Sequence, residues 1–296
     1  MIDTKAKTLA TLVQVGSYTQ TAKLLSLTQP AVSHQIKQLE QKFNIKIFYR
    51  DKRPITLTPE GEVLLKYANR LLAINSRIAK AIEDVKKSVN SFTVGITATV
   101  GEYMFSQLIV SYCNDHPDVH INIITDNIKN IYNKLLSYEL DWAIVEGQIK
   151  NESFTSVLLD TDYLCLVASP LNPLASRGSV TLQELKNEKF ILRSPDADTR
   201  SLFENTLIRN KESIGNFNVI IEIDNISTIK ELVAANLGVT VMAHSACREE
   251  EASGKLVVIP VENFTPVREI NVIYHKTFEH SYIIDEIRRS YLLGSK

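Results

Sequence analysis

Apolar residues recur at helical spacing through the first ninety positions, and the polar residues between them mark where each helix starts and stops. Leu9, Leu12 and Val13 line one face and Gly16 follows, where the left-handed conformation that ends a helix costs little. Thr19 is expected to cap a second short helix over 20–25, with Ala22 and Leu25 turned inward. Ser26-Leu27-Thr28 then reads as a tight turn. Thr28 is placed to cap a third helix, with Pro30 in its first turn, where a missing N–H removes no helical hydrogen bond. Val32, Ile36 and Leu39 form the apolar stripe of that helix, which turns Gln29, Ser33, His34 and Lys37 outward. Residues 49–57 predict an apolar-flanked hairpin carrying Arg50, Lys52 and Arg53 near its tip.

A long helix is expected next, capped by Thr58, opened by Pro59 and running to about Val89. Leu64, Leu71, Ile78 and Val85 repeat every seventh residue, and Ala68, Asn75, Ile82 and Val89 form the companion row, a two-row seam of the kind that pairs helices. Asn75 is its one polar member, the type of residue that fixes register. The same stripe is also able to pack on the chain's own N-terminal helices, and the two uses are compatible.

From Phe92 the pattern changes. Short apolar runs at 92–96, 119–124 and 142–145 alternate with helical stretches near 103–113 and 131–138. A second set of runs at 163–168, 189–192, 219–223 and 239–242 alternates with helices opening at Thr181 (a Thr181/Glu184 capping box), near Thr199 and near Ile226. Residues 269–274 and a helix from His280 are able to rejoin the first set. This predicts an α/β architecture of two lobes, linked by crossings near 160–164 and 264–268, with a cleft between them. The expected division is residues 1–58 for an all-α-type winged helix-turn-helix, 59–90 for a long linker helix, and 91–296 for the two-lobed α/β domain. Lobe I would hold 91–161 and 267–296, and lobe II 162–266.

Charge sharpens the picture. Residues 1–90 carry 15 basic and 7 acidic side chains, a net of +8; of the chain's 33 basic and 34 acidic residues this leaves 18 and 27 for 91–296, a net of −9. A basic N-terminal third on an acidic body is the footprint of a nucleic-acid reader joined to something else. No run approaches the roughly 18 apolar residues that span a bilayer, and the N-terminus lacks a secretory signal pattern, so a cytoplasmic protein with no membrane partner is expected. Cys113, Cys165 and Cys247 are odd in number and widely spaced, which suits isolated reduced thiols rather than disulfides or a zinc site. His116 and His120 flank Pro117 and lack a third ligand, and no nucleophile elbow, phosphate loop or dinucleotide fingerprint occurs. No metal, cofactor or enzymatic activity is therefore expected.

Two helices joined by a tight turn, the second presenting hydrogen-bonding side chains from its N-terminal half, are what reading a major groove requires. The runs Gly16-Ser17-Tyr18-Thr19-Gln20-Thr21-Ala22, Thr28-Gln29-Pro30-Ala31-Val32-Ser33-His34-Gln35-Ile36 and Leu57-Thr58-Pro59-Glu60-Gly61 together resemble the LysR-type helix-turn-helix. That resemblance implies double-stranded promoter DNA as partner. The residues expected to carry binding are Thr19, Gln29, Pro30, Ser33, His34 and Lys37, with Arg50, Lys52 and Arg53 on the wing. Many relatives have arginine at the position of His34, so a bidentate guanine contact there is not carried over. The resemblance also implies dimerisation through the long helix, a homodimer or homotetramer, and RNA polymerase as a further partner.

The C-terminal region resembles the type-2 periplasmic-binding-protein fold of LysR-type sensors, through Thr99-Val100-Gly101-Glu102-Tyr103, Val145-Glu146-Gly147 and Phe190-Ile191-Leu192-Arg193. It is especially similar to the subgroup related to regulators of sulfite reduction and carbon fixation. In open α/β sheets the ligand crevice lies beyond the carboxyl ends of the strands, where helix N-termini offer unpaired N–H groups. Thr97, Ala98, Thr99, Glu146, Thr199, Arg200, Asn225 and Ile226 are the expected effector-binding residues. Arg200 and three helix N-termini favour a small anionic metabolite, whereas Asp196 and Asp198 repel one unless turned outward. The identity of the effector, the operator and the sign of regulation are not legible in these residues.

Overall fold

A computed structural model of the chain describes residues 2–49, 54–101, 105–147, 149 and 151–294. The chain resolves into two compact units: residues 1–92 with 118–120 and 133–140, and residues 93–117, 121–132 and 141–296.

In the first unit, α1 (Ile2–Val15) ends at Gly16, whose φ of 70° lets its N–H return to the Leu12 carbonyl at 2.8 Å. α2 (Tyr18–Leu24) starts two residues earlier than expected. Ser17, not Thr19, is its cap, accepting the Gln20 N–H, and Thr19 lies exposed within the first turn. Serine and threonine compete for the same role here, and Ser17 wins because its extended backbone (φ −145°) aims the hydroxyl back along the helix. α3 (Gln29–Phe43) is capped by Thr28, which accepts from the Ala31 N–H at 3.3 Å, and buries Val32, Ile36 and Leu39. It stops at Asn44 in the left-handed region. Glu40 then ties the helix to the following strand pair: its carboxylate accepts the Ile47 N–H at 3.0 Å. That pair is a single bridge, Phe48 to Leu57, with the Tyr49 N–H donating to the Thr56 carbonyl at 3.0 Å.

α4 (Pro59–Lys87) is capped by Thr58, which accepts from the Gly61 N–H at 3.0 Å. Gly61 is required by close approach, because a Cβ there would stand 2.2 Å from the Ile47 carbonyl oxygen. The seam divides along its length. Leu64, Leu65, Ala68 and Leu72 pack on a core that includes Ala6, Leu9, Leu12, Ile36 and Ile47, whereas Leu71, Ile74, Ile78, Ile82 and Val85 are exposed. The first half therefore stabilises the chain's own helix-turn-helix, and only the second half offers an apolar row.

β1 (Asn90–Ile96) leads through the single turn α5 (Ala98–Val100) to α6 (Ser106–Asp115), β2 (Val119–Thr125), α7 (Ile128–Leu136) and β3 (Trp142–Glu146). β4 (Phe154–Ala168) is much longer than the expected run at 163–168. Then come α8 (Leu182–Leu185), β5 (Lys189–Leu192), α9 (Asp198–Arg209), β6 (Asn218–Glu222), α10 (Ile226–Ala234), β7 (Thr240–Ala243), α11 (His244–Ala252), β8 (Val257–Ile259), β9 (Val267–His275) and α12 (Ser281–Gly294). The main sheet runs β2-β1-β3-β9-β4-β7, with β8 also on β4, and β5 pairs with β6 in parallel.

The two crossings between lobes are not loops but strands. β4 and β9 run antiparallel from Phe154/His275 to Tyr163/Val267, with an irregularity between Leu158 and Asp160. β9 also pairs with β3, so it returns the chain to the first lobe as its sequence predicted. The second lobe is held by an aromatic core in which Phe190 meets Phe217 edge-on (5.6 Å between centroids) and Phe203 meets Phe264 likewise (5.6 Å). Cys165 and Cys247, read from the sequence as isolated, are neighbours: their sulfurs are 3.8 Å apart, well beyond the roughly 2.05 Å of a disulfide. Hydrogen bonding to Cys247 and then burial push the Cys165 thiol above its ordinary pKa.

Candidate nucleic-acid interface and effector cleft

The buried stripe of α3 fixes the opposite face. Gln29, Pro30, His34 and Lys37 are exposed and Ser33 is half-buried. Pairs one turn apart order this face before anything binds: the Gln29 amide donates to Ser33 Oγ at 3.0 Å, and the Gln38 amide lies 2.8 Å from His34 Nε2. Ser33 and Lys37 also face a groove of about 1250 Å³ whose other wall includes Phe48, Tyr49 and Pro54. The expected wing cations Arg50, Lys52 and Arg53 lie outside the described residues.

In the second unit a cleft of about 530 Å³ gathers Thr97, Ala98, Thr99, Glu146 and Thr199 from segments a hundred residues apart. Thr97 and Ala98 follow β1, Glu146 ends β3, and Thr199 lies in the first turn of α9. Ile226 lines a small adjoining pocket that Thr99, Thr199 and Arg193 share. Two expected residues line neither pocket. Asn225 caps α10, accepting from the Thr228 N–H at 2.8 Å. Arg200 is buried, but its guanidinium faces its own lobe: it pairs with Glu204 at 2.5 Å and Glu222 at 3.1 Å and donates to the Arg193 carbonyl at 3.1 Å. Position N3 of a helix points a side chain back over the preceding turn, which here leads to β6 and not to the cleft.

The cations at the cleft are Arg193 and Arg268. Arg193 lines both pockets, and its Nε is buried without a hydrogen-bond partner among the described residues. Arg268, on β9, lies behind the lining residues Glu146 and Thr199, beneath the cleft. Its Nη1 pairs with Glu146 at 3.1 Å and lies 3.4 Å from Thr199 Oγ1, and its Nη2 pairs with Asp162 at 3.1 Å. All three ionised side chains are only 5% exposed, so these pairs are shielded from solvent. Asp162 has further support: Ser245 Oγ donates to it at 2.8 Å and the Ser245 N–H at 3.3 Å, where α11 begins and its partial positive charge is strongest. Glu146 has the Thr97 hydroxyl in addition to Arg268.

Asp198, which an anion site needs turned outward, faces the cleft instead. Burial, and next the charge of Glu146, raise its pKa, while the nearby Ile128 N–H, Arg268 and Arg193 act in the opposite direction. Sequence reasoning missed Arg193, Arg268, Asp162 and the turn at Thr125–Asn127. A charged residue at the expected crossing, inside the apolar run that becomes β9, was the signal available for Arg268.

An N-terminal helix-turn-helix and a two-lobed α/β domain with a polar interlobe cleft define a DNA-binding regulator with a small-molecule sensing domain. Two family models match the chain, "Bacterial regulatory helix-turn-helix protein, lysR family" over residues 4–62 and "LysR substrate binding domain" over residues 87–289. A "Probable RuBisCO transcriptional regulator" of Emiliania huxleyi is 31% identical over 272 residues, covering 90% of this chain and 86% of its own length. The chain belongs to the LysR family of transcriptional regulators. Among solved structures, full-length CbnR complexed with its target DNA has a TM-score of 0.68 at 15% identity, covering 98% of this chain and 100% of its own. The regulatory domain of Synechocystis PCC6803 CcmR in complex with 2-PG has a TM-score of 0.61 at 19% identity, covering 67% of this chain and 96% of its own. The expectation of a regulator rather than an enzyme holds, and among the described residues no helix is long and apolar enough to cross a membrane.

Proposed function

We propose that this regulator reads promoter DNA through the outer face of α3 and that a small metabolite carrying an anionic group, held between its lobes, modulates that binding. The observation that carries the first half is the division of α3: Val32, Ile36 and Leu39 are buried, and Gln29, His34 and Lys37 stand in water with their hydrogen-bonding capacity outward. Gln29 and Ser33 suit base edges, Lys37 suits phosphate, and Thr19, Pro30, His34 and the wing residues Arg50, Lys52 and Arg53 complete the proposed interface. The effector is proposed to meet Thr97, Ala98, Thr99, Glu146 and Thr199, with Ile226 at the inner end. Arg193 replaces Arg200 as the cation at the cleft wall. A related sensor solved with 2-PG supports a small molecule as the occupant.

The exposed row Leu71, Ile78, Ile82 and Val85 on α4 supports a homodimer through that helix, and hence two reading heads on a paired half-site; a homotetramer and a contact with RNA polymerase extend the same reading. Effector binding then shifts the balance between lobe arrangements by its differential affinity for them. An electrophoretic shift on DNA flanking the gene tests the reading. Binding is expected to fall steeply with salt and to favour that fragment over random sequence, and equal binding to both would overturn it. Sedimentation of Ile78→Asp is expected to show monomer where the parent chain shows dimer.

A further inference from the structure

The polar face of α3 is ordered in pairs. In the first, the Gln29 amide donates to Ser33 Oγ at 3.0 Å; in the second, the Gln38 amide nitrogen lies 2.8 Å from His34 Nε2. Residues four apart lie one above the other on a helix, so each pair restrains side chains that otherwise wander in water. His34 is exposed and Gln38 is half-buried, which makes the glutamine the better anchored of the two. Chemistry settles the direction of this second bond. An amide nitrogen donates and does not accept, so the ring nitrogen that it meets is the acceptor. A neutral imidazole whose Nε2 accepts carries its one proton on Nδ1. Gln38 therefore leaves His34 a single hydrogen-bonding group, an N–H donor.

We propose that Gln38 is a positioning residue for base readout, holding His34 so that the imidazole meets one base edge as a donor alone. This rests on the reading of α3 as the helix that enters the DNA. The consequence is a preference by exclusion. In the major groove guanine offers N7 and O6, adenine N7 and thymine O4, all acceptors, whereas cytosine presents its N4 amino group, a donor. A lone N–H is matched by the first three bases and meets donor against donor at cytosine. An arginine at this position, with its fork of donors, holds both guanine acceptors at once and selects that base outright. The His34–Gln38 pair tolerates three bases and refuses one. The refusal belongs to the pair: without the amide, Nε2 is free to carry the proton, Nδ1 accepts as readily as it donates, and cytosine is admitted.

The test is the base preference of the full chain on the DNA flanking its gene, read by sequencing the bound and unbound fractions of a pool carrying single-base substitutions. The parent is expected to disfavour cytosine at one position by about fivefold, the scale of one hydrogen bond. Gln38→Met keeps the length and helix preference of the side chain and removes the amide. It is expected to level that position, as is His34→Ala, and the double variant is expected to do no more than either alone. The slope of log affinity against log salt and the melting temperature should stay in place, because neither side chain is assigned to phosphate or to the core. If Gln38→Met keeps the parent's profile, relaxes a different position from His34→Ala, or weakens all sequences alike, the inference falls. Gln29→Ala separates it from the reading beneath it. If Gln29→Ala relaxes a position of its own while the His34 and Gln38 variants change nothing, only the inference falls; if none of the three changes any preference, the reading of α3 falls with it.

Discussion

Along α3 the polar side chains stand in water, each held at most by a neighbour one turn away, as Gln29 is by Ser33 and His34 by Gln38. At the cleft floor the polar side chains are buried, and Arg268 alone joins Glu146, Asp162 and Thr199 from β3, β4 and α9. The first surface keeps its hydrogen-bonding capacity for a partner that arrives with its own charge. The second spends that capacity internally, so a ligand must exchange for what is already there. The contrast sets how substitutions should behave. Changes on α3 should cost binding and spare the fold, whereas changes at the floor should cost the fold first.

Arg268→Ala is the sharpest way to break this comparison. It leaves two carboxylates buried without their cation, and losing one partner of a buried pair typically costs about 3–5 kcal/mol. Thermal unfolding of the full chain should show a large fall, and the double variant Arg268→Ala, Glu146→Gln should recover part of it. A fall of less than about 1 kcal/mol, the range of exposed pairs, would show the floor to be solvated and the contrast empty.

On α3 the expected losses are smaller and appear only in DNA binding. Gln29→Ala should relax base preference by about 1–3 kcal/mol at one position while leaving the melting temperature in place. Lys37→Ala should weaken all sequences alike and lower the slope of log affinity against log salt by about 1. Salt titrations on a specific and a random fragment separate the two, and a lowered melting temperature in either variant would erase the distinction between the regions.

These expectations also show how much was legible beforehand. The N-terminal helices could be read because their signals are local: Thr28, Pro30 and the Val32/Ile36/Leu39 stripe lie within a dozen residues, and each acts through the backbone next to it. Only the cap of α2 was misassigned, where Ser17 and Thr19 offer the same chemistry two residues apart. The cleft threonines could be placed because strand ends and helix starts converge there in this fold. What was not legible is side-chain direction over long separations. Arg200 and Arg268 are both arginines near the crossing region in space, and nothing in the sequence says that Glu204 and Glu222 hold the first while Glu146 and Asp162 hold the second. The pairing of Cys165 with Cys247 across 82 positions was invisible for the same reason. Arg200→Ala accordingly should lower the melting temperature moderately and leave phosphate affinity unchanged, which separates a lobe II fastening from a cleft cation.

The smallest expected effect concerns pH. Asp198 lies near Glu146, Arg268, Arg193 and the Ile128 N–H, and shares its cleft with Asp126, Asp196 and Asp224; burial, then Glu146, raise its pKa in the folded chain. A carboxyl whose folded pKa exceeds its unfolded one binds its proton more readily when folded, so between the two values stability declines as pH rises, and above the folded value the whole penalty is present. Asp198→Asn carries no such penalty. Relative to the parent it should melt higher at neutral pH, and the difference should shrink as the pH falls through the folded value toward the ordinary aspartate range. Melting curves of both chains over that interval measure it. A difference that stays constant with pH would mean that Asp198 remains ionised throughout, with the Ile128 N–H and the two arginines outweighing burial and Glu146, and the cleft would then hold its second carboxylate as firmly as its first.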